Sequence, residues 1–216
     1  GNCTTHPSVV MAVAKRVLEY GCECIIADSP GGPFNALHLK SVYAKSGMTG
    51  ILEKLPEVKL NNDFSTQIIS NENNEVLKEF EIMKVLFDAD VIFNLSKFKT
   101  HTYMGFTGAV KNMFGVIPGL VKVEMHSRFV GQDAFSKMLI DINQTLREKT
   151  KLNITDAVWG MEGQGPTGGD SIKVGYLMAS QNPYALDLAQ AKLMSKDINQ
   201  FPLILQMQKQ GLINAD

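Results

Sequence analysis

The stretch ADVIFNLSKFKTHTYMGFTGAVKNMFGVIPG, residues 89–119, decides how the rest of this chain is read. Its apolar run VIFNL at 91–95 reads as a short, fully buried strand, because β-branched and aromatic residues follow one another without polar alternation. Directly after it come Lys97, Lys99, His101 and Lys111 with almost no acid, among Gly105, Gly108, Gly115 and Gly119. The spacing predicts a basic, glycine-rich loop at the carboxyl end of a central strand, followed by about two helical turns in FTGAVKNMFG. In open α/β sheets that end of a strand is where ligands bind.

Working outward, the flanks repeat the same grammar. Thr4 or Thr5 can cap a helix that begins near Pro7 and stops at Gly21, and CECIIAD (22–28) then reads as a buried strand. It runs into the turn DSPGGP and a second helix. Residues 47–60 read as a broken helix. FSTQIIS and EVLKEF flank the polar NENN as a hairpin, and EIMKVLFDAD (81–90) as a short helix. DAFSKMLIDINQTLREKT (133–150) places Phe135, Met138, Leu139, Ile142 and Leu146 on one helical face. LNITDAVWGM and IKVGYLMAS read as strands separated by the glycine-rich EGQGPTGG. PYALDLAQAKLMSK (183–196) and FPLILQMQKQG read as the last helices.

Strands alternating with helices predict an α/β fold, a mainly parallel sheet flanked by helices on both faces and Rossmann-like. A single domain over 1–216 fits the length, with a small hairpin excursion near 60–82. GNCTTHPSVV enters its helix without a preceding strand, so the chain reads as a core with flanks to spare. The three strand-end loops, DSPGGP, SKFKTHTYMGFTG and MEGQGPTGG, are expected to crowd one edge of the sheet.

Composition narrows the partners. The net charge of -1 gives no general attraction to nucleic acid or acidic membrane, so an anion site has to arise from local placement. Cys3, Cys22 and Cys24 form no disulfide framework and no second pair to complete a metal site, which predicts buried thiols in a reducing, cytoplasmic setting. No apolar run approaches the roughly twenty residues that span a bilayer. Walker-type lysine loops, dinucleotide fingerprints and nucleophile elbows are absent, which demotes nucleotide hydrolysis and hydride transfer.

The candidate chemistry follows from residue type and place. His101 can be an acid–base group or a metal ligand; Lys111 is a solvated lysine or an amine aimed at an anion or electrophile. Lys97 and Lys99 flank Phe98 as a solvated edge or an anion clamp. Gly105, Thr107 and Gly108 let backbone approach a ligand. In the first strand–helix unit, His6, Asp28, Gly31 and Gly32 could line the same edge, or His6 and Asp28 could merely begin helices. His126 in VEMHSRF and Glu162 beside Gly163 are candidate metal ligands, with turn and cap roles as the alternatives. His38 reads as exposed or satisfied locally.

TTHPSVVMAVAKRVLEYGCECIIADSPGG, residues 89–119 and GMEGQGPTGG together resemble the hallmark segments of the domain of unknown function 362 family, over nearly the whole chain. That family is mostly bacterial and archaeal, and many members carry a ferredoxin-like segment after the core. The resemblance implies an electron-transfer partner or a ferredoxin-like segment elsewhere. This chain has no Cys-x-x-Cys run, so no iron–sulfur cluster is expected within it.

A more distant likeness joins His101, Gly105-Phe106-Thr107-Gly108, Lys111, Pro118-Gly119 and His126 to the signature of nickel-pincer lactate racemase. It implies His101 as acid–base, Lys111 as cofactor tether and His126 as a nickel ligand. TTHP and DSPGG stand where the racemases have a substrate-binding Thr-Arg-Pro segment and a second catalytic His. Arg is replaced by His6, and DSPGG offers no second His. Taken together, the sequence predicts an enzyme that binds a small anionic organic cofactor or substrate, with a metal, at the loop edge. The alternative is a non-catalytic, redox-associated binding module.

Overall fold

The computed structural model describes residues 3–194 and 197–214. His6 caps α1 (Pro7–Glu19): its Nδ1 accepts the Ser8 N–H at 3.2 Å, and Pro7 takes the first-turn position that needs no donor. The strand expected over residues 22–28 shrinks to β1 (Ile25–Ile26), because Cys22 and Glu23 are exposed and only the two isoleucines pair. After α2 (Ala36–Ser46) and the single turn α3 (Thr49–Leu52) comes β2 (Lys59–Leu60), which pairs with β1 in parallel, apart from the main sheet. The broken helix expected over 47–60 is thus one helical turn and a short strand.

The hairpin is present, shifted at its second arm. β3 (Thr66–Ser70) pairs antiparallel with β4 (Glu79–Met83), and α4 (Lys84–Asp88) takes only the second half of the helix expected over 81–90. The Asp141 carboxylate accepts backbone N–H groups of Glu75, Val76 and Leu77 at 2.7–2.9 Å, fastening the hairpin turn to the body.

The largest revision concerns the opening stretch. β5 (Ile92–His101) does not stop at Leu95; it runs on through Lys97 and Lys99 to His101. Residues 102–104 turn, and β6 (Gly105–Thr107) returns antiparallel, Lys99 opposite Thr107 and His101 opposite Gly105. The basic groups therefore stand on a strand whose alternation aims them, not on a mobile loop. α5 (Ala109–Asn112), a 3-10 turn at Met113–Val116 and α6 (Val121–Arg128) follow. α7 (Gln132–Thr145) buries Phe135, Met138, Leu139 and Ile142, with Leu146 just past its end, as its spacing predicts.

β7 (Thr150–Glu162) lies parallel to β5, and β8 (Asp170–Ser180) returns antiparallel beside it. The sheet order is β6-β5-β7-β8, with one parallel pairing and two antiparallel ones. The sheet is mixed, and the mainly parallel expectation is corrected. Residues 163–169 are too few for a crossover helix, so β7 can only turn back on itself. α8 (Pro183–Leu193) and α9 (Pro202–Lys209) close the chain; the expected end of the former helix at residues 195–196 lies outside the described residues.

Two apolar clusters hold these layers. Leu95 packs among Val10, Ala14, Leu39 and Tyr43 of α1 and α2. Asn94, the next residue of β5, faces the opposite way and donates to the Ala109 carbonyl of α5 at 2.9 Å. On that side lies the larger cluster of Phe106, Phe135, Met138, Leu139 and Phe201. Helices thus flank β5 on both faces, and its carboxyl end opens between them.

Candidate functional site: a lysine-rich cluster at the end of β5

Three segments meet beyond β5. Gly119 N–H donates to Ser29 Oγ at 2.7 Å, and Lys122 Nζ donates to the Ser29 carbonyl at 2.5 Å and to the Ile117 carbonyl, joining the DSPGG turn to α6. Thr100 Oγ1 donates to the Gly163 carbonyl at 3.0 Å, and Thr102 N–H to the Gly165 carbonyl at 3.1 Å, joining the β7–β8 loop to the tip of β5. The DSPGG turn and the β7–β8 loop thus both meet the segment that runs from β5 to α6, but β1 belongs to a separate two-stranded sheet, so the three loops do not share one sheet edge.

The titratable groups they bring together are Asp28, Lys99, His101, Lys111, Lys122 and His126. Asp28 keeps solvent access although protein closes round it. Its carboxyl is raised by burial, against the opposing pull of Lys122, the Ser29 N–H and Lys99. Lys111 is pushed down to about 8, by burial first and the Lys99 charge second. Lys122 also falls to about 8, through burial, with Asp28 opposing and Lys111 adding. Lys99, lowered by burial, donates to the Cys3 carbonyl at 2.8 Å.

His101 is held down to about 4 by burial, with Lys111, Lys99 and His126 adding to the effect. Its Nδ1 accepts the backbone N–H groups of Tyr103 at 3.2 Å and Met104 at 3.3 Å. His126 is lowered by burial and Lys111; its ring lies flat on Phe135, 4.6 Å between centroids, and edge-on to Phe114. Lys111 and Lys122 stand 6.0 and 5.9 Å from the Phe114 ring, within the range where an aromatic face attracts a cation.

One amine in this cluster stands apart. Among the described residues Lys111 Nζ has no hydrogen-bond or ion-pair partner, although its side chain is partly buried and that burial lowers its pKa. Burying a charge without a counter-ion is costly, so such a group marks a place where something else belongs.

A protein-family model described as a domain of unknown function, DUF362, matches residues 1–192. The chain belongs to the DUF362 family. It is also 32% identical over 215 residues to a thylakoid-associated protein of Synechocystis sp., covering 97% of this chain and 63% of that relative. The chain therefore spans less than two-thirds of the relative's length. No solved structure matches it. No described helix is long and apolar enough to cross a membrane.

Against this DUF362 scaffold the other candidate residues fall into place. Lys97 is no clamp: its Nζ pairs with Asp156 at 2.7 Å, the two side chains 4% and 1% exposed. Burial pushes the Asp156 carboxyl up, but Lys97 and the N–H groups of His6 and Val158 outweigh it and leave it lowered. Lys97→Met strands that carboxylate, and unfolding in urea is expected to show a loss of about 3–5 kcal/mol with anion binding at the cluster retained. His6 belongs to the same structural knot, as helix cap and donor to Asp156.

Gly105 and Gly108 approach protein rather than ligand. A Cβ on Gly105, at φ +82°, would meet Phe201 at 2.6 Å, and one on Gly108 would meet Asp187 Oδ1 at 2.2 Å. Thr107 is buried with its Oγ1 unpaired. Gly31 and Gly32 form the turn beneath His38, whose Nε2–H donates to the Gly31 carbonyl at 3.1 Å, the local satisfaction expected of it. Glu162 sits exposed opposite Asp170, and its carboxylate perturbs none of the cluster's groups.

Sequence reasoning missed Lys122, Ser29 and Phe114. The signal for Lys122 was its position three residues after Gly119, in the same basic stretch, where a turn of helix brings it back toward DSPGG.

Proposed function

We propose that the cluster at the end of β5 captures a small organic anion bearing a carboxylate or phosphate. The observation that carries the reading is the Lys111 ammonium, partly buried and without a counter-ion, between Lys99 and Lys122. Lys99 and Lys122 act on one carboxylate, Asp28, and Lys111 adds a third ammonium group, so the cluster holds surplus positive charge that an incoming anion neutralises. The low-dielectric surroundings strengthen that attraction beyond what surface lysines supply.

The likeness to nickel-pincer racemases calls for a metal beside His126. A metal held by side chains alone does not fit: His126 and Glu162 answer to different surroundings, and no three His, Cys, Asp or Glu residues converge to hold one among the described residues. No step is assigned to a metal.

Calorimetric titration with orthophosphate and with pyruvate tests the anion reading. Lys111 and Lys122 are about half protonated at pH 8, and an anion favours their charged forms. Binding is therefore expected to take up protons near pH 8, and affinity to fall as pH rises through that value. Proton release, or affinity indifferent to pH between 7 and 9.5, would contradict it.

A further inference from the structure

His101 carries a restriction that narrows the chemistry of this cluster. Its Nδ1 accepts two backbone N–H groups, of Tyr103 and Met104, and neither can turn round to accept instead. The lone pair must stay on Nδ1, so the proton of the neutral ring sits on Nε2. The ring stays neutral near pH 7, since burial and the neighbouring lysines hold it to about 4. An imidazole locked in this state has no free lone pair to take a proton at Nε2. It can donate a hydrogen bond there, so the general-base role expected from its type gives way to that of an electrophilic donor.

Lys111 belongs to the same cluster: its charge acts on His101, and its amine shares the Phe114 ring with Lys122. At pH 7 to 8 a substantial fraction of its amine is neutral and nucleophilic, whereas an ordinary lysine is almost wholly protonated. A neutral amine, a fixed hydrogen-bond donor and two further ammonium groups, Lys99 and Lys122, suit a molecule with both a carbonyl and a carboxylate. We propose that Lys111 condenses with the carbonyl of a small oxo acid to form an imine, while His101 Nε2–H holds the carbonyl oxygen.

The amine lone pair adds to the carbonyl carbon, and the carbonyl π pair moves to oxygen. Both amine hydrogens then leave with that oxygen as water while the C=N bond closes; nothing is oxidised or reduced. Lys99 and Lys122 hold the carboxylate. This proposal rests on the anion reading and adds covalent capture to it.

The test uses the whole chain with pyruvate and sodium cyanoborohydride near pH 7.5, followed by intact-mass analysis and peptide mapping. The expected result is one adduct per chain, heavier by pyruvate less one oxygen atom, on the peptide carrying Lys111. Its labelling is expected to run about two-hundredfold faster than that of other lysines, the ratio of neutral amine for a pKa of about 8 against the ordinary value.

Lys111→Arg should keep pyruvate binding and lose the adduct. His101→Ala should slow trapping, and His101→Gln, which restores an N–H donor, should recover it; equal rates in both variants would remove His101 from the proposal. Pyruvate that binds calorimetrically but gives no selective adduct overturns the imine and leaves the anion reading standing. Pyruvate and orthophosphate that both fail to bind overturn the two together.

Discussion

Lys111→Met is expected to weaken anion capture strongly and, at the same time, to raise the melting temperature near neutral pH. The two effects have one origin. In the free protein Lys111 is a partly buried ammonium with no counter-ion, which folding must partly desolvate without return. Methionine fills a similar volume with no charge to desolvate, and a stability gain on the order of 1 kcal/mol is expected in urea titrations. Binding of orthophosphate should weaken by about thirtyfold or more, the usual consequence of truncating one partner of a desolvated charge pair.

The pH dependence has a definite sign. The folded pKa of Lys111 lies below its unfolded value, so the unfolded chain binds more protons between pH 8 and about 10.4. The wild-type protein should therefore gain stability as pH rises through that window, with Lys122 contributing in the same sense. The variant should gain less.

The second large effect is expected at Gly108. The Asp187 carboxylate, fully buried, accepts the backbone N–H groups of Ala109 at 2.6 Å and Val110 at 3.0 Å and the Gln190 side-chain N–H at 2.9 Å. Burial pushes its pKa up to about 7 against those three donors. Gly108→Ala drives a methyl into this carboxylate, and Asp187→Ala leaves the same backbone donors buried and unpaired. Each is expected to cost about 3 kcal/mol or more in urea denaturation. Because the alanine methyl has nothing to strike once Asp187 is gone, the double variant should lose clearly less than the two single losses together. Additive losses would mean that the two residues do not meet.

That pair also shows where the sequence was legible and where it was not. The glycine turn before Lys111 was visible as a place of close approach, but sequence could not say that the approaching group is Asp187, nearly eighty positions away. The helical face of α7 and the presence of a hairpin were readable, because periodicity and turn residues are local signals. The extent of β5 was not: Lys97, Lys99 and His101 look like loop residues until β6 and β7 supply their ladder partners. For the same reason Lys97 could not be told from Lys99. Alternate residues of a strand share a face, yet Asp156 neutralises one and the cluster receives the other. The mixed sheet had a readable clue in the shortness of residues 163–169.

Within the candidate site, the convergence of His101, Lys111 and His126 was legible from one continuous stretch, since the turn and α5 fold it back on itself. Lys122 and Asp28 entered only through long-range packing of the DSPGG turn against α6.

The central claim, that Lys111 is a partly buried amine awaiting an anion, is tested most directly by NMR. Following the ε-carbon signals of lysine-labelled protein against pH, with Lys111→Met to assign the resonance, reads the ionisation of this amine alone. The resonance lost in the variant should titrate near pH 8 in the free protein and move to higher pH when orthophosphate is added. Titration together with the exposed lysines near pH 10.4, unmoved by orthophosphate, would contradict the account.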